Sequence, residues 1–364
     1  MIKKCMLAAI LMAVVMCSGV AQTTIAVLPF DNTAKNEEYA WLSDGFCESL
    51  TSGFAQIGQF IVIERKRLDD VVKEQELQLS DLVDAARSVK VGEILGAQKV
   101  VLGSYQILGE DINVNCRIVD VQSGKVEEDG LISNKSDKMA NVFRLQQDIC
   151  LLLAQNMGGK ISEDEIKRVS AVITNSTQSL KAVEYYQKGA SALAAGKTKD
   201  AKKWYEKSKK EDPNYSAPYL GLGYAMHADG KYKDAIKRFE KCLELTPTYF
   251  QPYSMIGNCY WNLGKNDQAK EYVEKALKIN PYDLVGNTVM GAIYAGESNY
   301  QKAIDCYNIL LQGNPRFFTA YKVLGTLYWG MGQNEKAAGI HVEVHPEEPQ
   351  WVRHRSSDRL DEYD

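Results

Sequence analysis

The chain predicts two units in series. Residues 22–135 read as an α/β domain, a compact sandwich of mixed sheet and helices. Residues 182–345 read as an all-α superhelix of tandem repeats. Three observations carry this. First, Pro213, Pro247, Pro281 and Pro315 recur at one constant interval; so do Gly189, Gly223, Gly257, Gly291 and Gly325, and Ala201, Ala235, Ala269, Ala303 and Ala337. Three residue types with different physical roles share one 34-residue period, the mark of stacked structural units. Second, the N-terminal third alternates short apolar runs with stretches of four-residue periodicity, as strands exchanged with helices do. Third, 364 residues with 45% hydrophobic and 25% charged side chains are enough for two or three ordinary globular units.

The first 21 residues read as an export leader. Lys3 and Lys4 precede an apolar run over 6–17, and Gly19 and Ala21 are the small residues of a cleavage site, so cleavage is expected after Ala21. The run is too short to span a bilayer as a helix. Cys17 is a candidate for lipid attachment, although Met16 stands where a small residue is usual. A short leader of this kind points to a bacterium and to the periplasm. The six cysteines beyond it (47, 116, 150, 242, 259 and 306) have irregular spacing and sit on apolar faces, which reads as buried free thiols.

The stretch "TTIAVLPFDN" is an apolar strand ending at Pro29. Leu42, Phe46, Leu50 and Phe54 recur every four residues and mark an amphipathic helix. "QFIVIER" is a second strand, "RLDDVVKEQEL" a short helix, and 79–98 a further helix with Ser80 as its cap. "KVVLGSYQIL" and "DINVNCRIVDV" are strands joined by a tight turn at Gly109. In the second, Ile112, Val114, Cys116 and Ile118 alternate and face a core. "QSGK" turns into another strand, and residues 136–181 are a helix, 139–157, and a linker. The stretches "IAVLPFDN", "FIVIERKRLDDVVKEQELQLSDLVD", "EILGAQKVVLGSY" and "CRIVDVQSGKV" resemble the curli production assembly/transport component family. The resemblance covers nearly all of 22–135. It implies a compact α/β sandwich, and it opens a second functional reading, a subunit of an outer-membrane secretion or assembly apparatus. Within it, Glu64 and Arg65 read as a salt bridge or turn contact.

The repeats resemble the tetratricopeptide family, over 182–345. The second unit reads Tyr219, Leu222-Gly223, Ala235, Phe239, Cys242, Pro247; the third reads Tyr253, Ile256-Gly257, Tyr260, Ala269, Ala276, Pro281. Four units are clear; a fifth keeps Gly325 and Ala337 and then degrades, and 346–364 is a polar tail. Each unit is a pair of antiparallel helices, with Gly and Ala where helices cross closely and aromatics in the adjacent holes. The proline ends the second helix of each pair. No pair buries its face alone, so pairs stack into a superhelix with a concave surface.

In that family's register the inner face carries Tyr186, Tyr224, His227, Ser254, Asn258, Trp261, Thr288, Lys322 and Trp329. These are mostly aromatic or neutral, so the groove is expected to hold an apolar or aromatic-bearing peptide segment of a protein partner. The alternative is that the rings only pack one unit on the next. The lysines of 196–210 alternate with Asp200 and Glu206 and read as a solvated outer face. A net charge of −4 and a pI near 5.8 supply no footprint for nucleic acid. His341 and His345, spaced i, i+4 beside Glu343, have no third ligand fixed by sequence. No phosphate-loop, nucleophile-elbow or paired-histidine zinc motif occurs. The expectation is therefore a protein without catalytic residues, cofactor or metal: a periplasmic adaptor, with outer-membrane association and self-association as further options.

Overall fold

The computed structural model describes residues 22–63, 85–173, 177–313 and 317–344. The leader, Glu64 and Arg65, the helix expected over 67–77, Pro315, His345 and the tail lie outside the described residues.

The apolar run at the start forms β1 (Thr23–Val27), buried along almost all its length. A strand buried on both faces suits the interior of a parallel arrangement. β1 indeed pairs in parallel with β3 (Phe60–Val62) on one side and β4 (Lys99–Leu108) on the other. β4 turns at Gly109, φ +66°, into antiparallel β5 (Asp111–Asp120), which pairs with β6 (Ile132–Lys138). The sheet order is β3-β1-β4-β5-β6, with the two-residue β2 (Asp31–Asn32) beside β4. β5 alternates as expected, burying Ile112, Val114, Cys116 and Ile118. The strand expected directly after "QSGK" begins later, at Ile132. Glu127, Glu128, Asp129 and Gly130 form a charged turn first, tied to β5 by the Val119–Val126 bridge and by backbone hydrogen bonds of Ile118 with Glu127 (2.9 Å) and Gly130 (3.2 Å).

Helix α1 (Trp41–Phe54) buries Leu42, Phe46, Leu50 and Phe54 against this sheet. Phe30, just beyond Pro29, lies flat over Gly103 of β4; a methyl group there would come within 2.2 Å of the ring. Helix α2 (Ala85–Leu95) packs on β4 and β5. The segment 136–181, expected as a helix and linker, builds a further layer of helices: α3 (Val142–Asn156) and α4 (Glu163–Ile173), both packed on α1. Gly53 of α1 permits the approach, because a side chain there would meet Cys150 Sγ at 2.6 Å and Ile173 Cδ1 at 2.9 Å. α4 opens with a reciprocal cap. The Ser162 amide donates to Glu165 Oε2 (2.8 Å), and the Glu165 amide to Ser162 Oγ (3.3 Å). The same Glu165 takes the Gly58 amide (2.8 Å), and Arg168 donates to the Gln56 carbonyl (3.0 Å), bolting α4 to the end of α1.

Five helical pairs follow: α5 (Leu180–Ala194) and α6 (Thr198–Glu211); α7 (Ala217–Ala228) and α8 (Tyr232–Leu245); α9 (Phe250–Asn262) and α10 (Asn266–Ile279); α11 (Leu284–Gly296) and α12 (Tyr300–Gly313); α13 (Phe318–Gly330) and α14 (Asn334–Val344). The periodic glycines sit where the two helices of a pair touch. A Cβ would meet Tyr205 at 2.6 Å from Gly189, Phe239 at 2.3 Å from Gly223, Val273 at 2.5 Å from Gly257 and Tyr307 at 2.7 Å from Gly291. At Gly325 the nearest atom is Ile340 Cγ2, 3.9 Å away. The fifth unit, whose pattern fades in the sequence, possesses a second helix and departs from the others in the looseness of its crossing.

The prolines do more than stop a helix. The Tyr219 hydroxyl donates to the Pro213 carbonyl (3.1 Å), Tyr253 to Pro247 (3.2 Å), and Asn287 Nδ2 to Pro281 (2.8 Å). Each proline carbonyl, free because the helix has ended, is thus held by the first helix of the next unit. A further register of the same period lies in the turn within each pair. Gly196, Gly230, Gly264 and Gly332 take φ near +72°, and Ser298 takes φ +59° at the equivalent position.

The core does not break between sheet and repeats. One continuous cluster runs from Ile25 of β1 to Leu222 of α7. All six described cysteines are buried free thiols, and burial pushes Cys242 and Cys259 up to about 12 and Cys306 up to about 11.

Candidate functional site

The residues expected on an inner face lie on the first helix of each pair and recur with the repeat period. Tyr186, Ser254 and Lys322 share one register with Thr288; Tyr224 and Asn258 share a second; His227, Trp261 and Trp329 share a third, with Ala295 between the two tryptophans. These positions meet different fates along the stack.

At the first units the groove is filled by the chain itself. α1 lies against α5, and Glu48 of α1 accepts hydrogen bonds from the Tyr186 hydroxyl (2.5 Å) and Gln187 Nε2 (2.8 Å). One turn further along α1, Ser52 lines the same cavity as Tyr249, which opens the third unit. Tyr215 completes the wall, its ring edge-on to Tyr186 at 5.8 Å. A cavity of about 50 Å³ remains between these groups. Burial, and then the charge of Glu48, push the hydroxyls of Tyr186 and Tyr215 far above the ordinary tyrosine range. Both therefore stay neutral, and Tyr186 donates to Glu48. Tyr186, expected to line an open groove, is 7% exposed and engaged inside the molecule.

The positions from Tyr224 onward are not part of this cavity wall. Tyr224 is half-buried, its ring edge-on to Phe239 at 5.7 Å, so it fills space between helices. His227 and Asn258 are joined at 2.8 Å, and Asn262 donates to Asn258 Oδ1 at the same distance, forming a polar ledge across two units. Trp261 is 39% exposed and Trp329 57%, high values for indoles. Lys322 is exposed on the inner helix of the fifth unit, and Thr288 is half-buried.

Ser254 is buried, with its hydroxyl in hydrogen-bond contact with Asp283. Asp283 caps α11 by accepting the Gly286 amide (2.6 Å) and is 3% exposed. Burial pushes its carboxyl up to about 6, against the downward pull of those two hydrogen bonds. The folded state thus keeps a proton that the unfolded chain releases near 3.9. This contribution to stability is complete below pH 4 and is lost as pH rises through 6. The loss amounts to about 3 kcal/mol at most, from roughly two pH units of displacement. Asp283→Asn keeps the cap and removes the charge. It is expected to flatten the urea-unfolding stability between pH 4 and 7 and to raise it at pH 8; an unchanged pH profile would refute the assignment.

The sequence expectation missed Glu48, Gln187, Tyr215 and Tyr249. Tyr215 and Tyr249 did carry a signal, since they stand one repeat apart, with Asp283 and Phe317 next in the same register. Glu48 and Ser52 carried only an i, i+4 spacing on the side of α1 away from its leucines and phenylalanines. The lysines of α6 behave as expected of an outer face, pairing with Asp200, Glu206 and Asp229, while Lys207 covers the Trp204 ring at 4.1 Å. Among the described residues no cluster of three or more metal-binding side chains occurs, and the side chains of His341 and Glu343 are not among those described. No described helix is long and apolar enough to cross a membrane.

The model of the curli production assembly/transport component CsgG family matches residues 11–112, and that of regulator of microtubule dynamics protein 1-3 matches residues 222–285. A curated protein, putative adenylate cyclase 3 of Rhizobium meliloti (strain 1021), is 23% identical over 150 residues, 41% of this chain. The match spans 23% of that protein's length. Among solved structures, MamA protein is 24% identical with a TM-score of 0.39, covering 46% of this chain and 91% of its own. A thermophilic TPR protein of Thermus thermophilus is 20% identical with a TM-score of 0.41, covering 49% and 98%. YrrB, described as a TPR protein with an unusual peptide-binding site, is 20% identical with a TM-score of 0.38, covering 49% and 92%.

The period, the glycine crossings and the proline-held joints define a repeat scaffold, a class of fold that presents a curved surface to protein partners. The helical pairs keep the 34-residue period of the tetratricopeptide pattern, and residues 11–112 are CsgG-like.

Proposed function

We propose that this protein is a non-catalytic adaptor of the bacterial cell envelope, exported to the periplasm. The open part of its repeat groove, units three to five, holds a protein partner. Its α/β region docks on an envelope component. The observation that carries the first part is the pair of exposed indoles, Trp261 and Trp329, at one register of the inner face. Exposed tryptophans there are the type of side chain that dominates binding energy at protein interfaces. Asn258, His227 and Lys322 supply polar contacts around them. The leader at 1–21 supports export, and the family match at 11–112 supports an envelope setting.

The test is a crosslinking pull-down from isolated envelopes with the full chain, followed by affinity measurement on the partner recovered. Trp261→Ala with Trp329→Ala is expected to weaken binding by at least tenfold, about 1.4 kcal/mol or more, with the circular dichroism spectrum retained. Unchanged affinity in a folded double variant would overturn the groove assignment. The same family match favours one other reading, a subunit of an outer-membrane assembly apparatus that forms rings through the α/β region. A large detergent-requiring ring in native mass measurement supports that reading, and a membrane-free monomer or dimer supports the adaptor.

A further inference from the structure

We propose that the lysine stripe of α6, with the stacked rings of Tyr185 and Trp204 beside it, seats the first repeat unit on an anionic phospholipid surface. This goes beyond the groove reading and uses none of its residues.

Residues 180–211, the first helical pair, hold nine lysines against four carboxylates, in a chain whose net charge is −4. Lys199, Lys203, Lys207 and Lys210 stand at i, i+4, i+8 and i+11 on α6. All four are exposed, while Ala201, Tyr205 and Ser208 turn inward. At 1.5 Å per residue the stripe is about 16 Å long. Lys203 reaches Asp200 at 3.5 Å, both largely exposed; among the described residues the other three form no ion pair. The stripe belongs to one end of the stack. One repeat on, its positions hold three lysines and Glu244; in the third unit they hold two lysines with Asp267 and Glu271; units four and five have no cation there. The rings lie at the same end. Tyr185 and Trp204 are half-buried and stacked with centroids 5.7 Å apart, and Lys207 lies over the indole at 4.1 Å. Lys188 lies over the same indole at 5.2 Å. It is exposed at the position where the later units bury Leu222, Ile256, Met290 and Leu324. The first pair thus leaves in water a position that its successors bury.

The choice of cation says what the stripe meets. All nine cations of 180–211 are lysines; none is an arginine. Protein interfaces deplete lysine and favour arginine. The planar guanidinium is also the group that grips one carboxylate or phosphate in a fixed geometry. Lysine is a compact, strongly hydrated charge on a flexible stem. A row of lysines suits a diffuse plane of negative charge, such as the phosphates of an anionic bilayer, better than one shaped partner. Tyrosine and tryptophan add rings that pack where apolar and wet surroundings meet. The attachment is peripheral. The Tyr205 ring of α6 is held between Gly189 of α5 and Gly221 of α7, so the inward side of the helix is committed to the core. The bilayer meets charges and ring edges, and no apolar helix face enters it.

The experiment is flotation of the full chain with phosphatidylcholine vesicles, with and without phosphatidylglycerol. The anionic vesicles are expected to carry the chain and high salt to release it. Each lysine near such a surface strengthens binding about fivefold. Lys199→Gln, Lys203→Gln, Lys207→Gln and Lys210→Gln together are therefore expected to weaken binding at least about tenfold. Lys199→Gln with Lys210→Gln leaves the ring contacts in place and is expected to give an intermediate loss, which keeps the test open should the fourfold variant misfold. Lys265→Gln, Lys302→Gln and Lys336→Gln, at exposed positions of units three to five, are expected to change nothing. Equal binding to the two vesicle types, an equal loss in the distal variant, or full binding by a folded stripe variant overturns the proposal. Lysine-dependent capture of an acidic protein or a nucleic acid, with no vesicle binding, overturns it too. The variant with Trp261→Ala and Trp329→Ala is expected to float as the wild type does, which separates this result from the groove reading; a loss there would assign the vesicle contact to the groove and overturn the stripe.

Discussion

Tyr205→Ala is expected to destabilise the protein by about 3–5 kcal/mol, the range for removing a large buried ring. The ring of Tyr205 is 2% exposed and lies between two glycines of successive units. A methyl group would meet it at 2.6 Å from Gly189 and at 2.5 Å from Gly221. It also packs against Tyr186 with ring centroids 5.6 Å apart. Neither glycine can fill the space left behind, so the cavity persists and adds to the lost burial. Tyr205→Phe keeps the ring and its packing and should cost less than about 1.5 kcal/mol, as volume-conserving changes do. Urea unfolding of both variants checks this. A loss under about 1 kcal/mol for the alanine variant, well below the usual range, would show that the first two units repack freely.

Glu48→Ala should cost about 2–4 kcal/mol and loosen the joint between the α/β layer and the repeats. The side chain accepts two hydrogen bonds from residues that are 7% and 4% exposed. Bonds to a charged acceptor are worth about 1.5–3 kcal/mol each, and losing the acceptor strands both donors. Water entering the adjacent cavity offsets part of this, which sets the estimate below the simple sum. The variant is also expected to split the unfolding transition, because α1 couples the two halves. Amide exchange should rise in α5 before it rises in β4 and β5. A single transition at the wild-type midpoint would reduce the contact to an incidental one.

Much of the architecture is legible in the residues, for a local reason. One period shared by three residue types is a statement about steric fit between helices near in sequence, and each periodic glycine of the first four units meets a ring or valine of its own pair. β5 could be read from its alternation, and α1 from its four-residue spacing, because burial on one face imposes both. The fifth unit shows the limit. Its second helix forms although its pattern fades, since α14 packs along α13 much as the other pairs do, without the close glycine crossing. The segment 136–181 shows it again. The polar residues that open α4 read as linker, yet Ser162 and Glu165 use them to cap that helix and tie it to α1.

The candidate site was half legible for the same reason. Registers set Trp261, Trp329 and Lys322 at recurring positions of the first helices, because a solenoid repeats its geometry. They also place Tyr186 there, correctly in register and wrongly as open surface. Its partner Glu48 lies 138 residues earlier in the chain. Whether that carboxylate reaches the groove depends on how the sheet layer sits against the first repeat, and that orientation follows from the summed packing of α1, α3, α4 and α5. Periodicity arises from neighbours along the chain and is written in composition and spacing. The filling of one end of the groove arises from contacts between distant segments, and those appear once the whole core has closed.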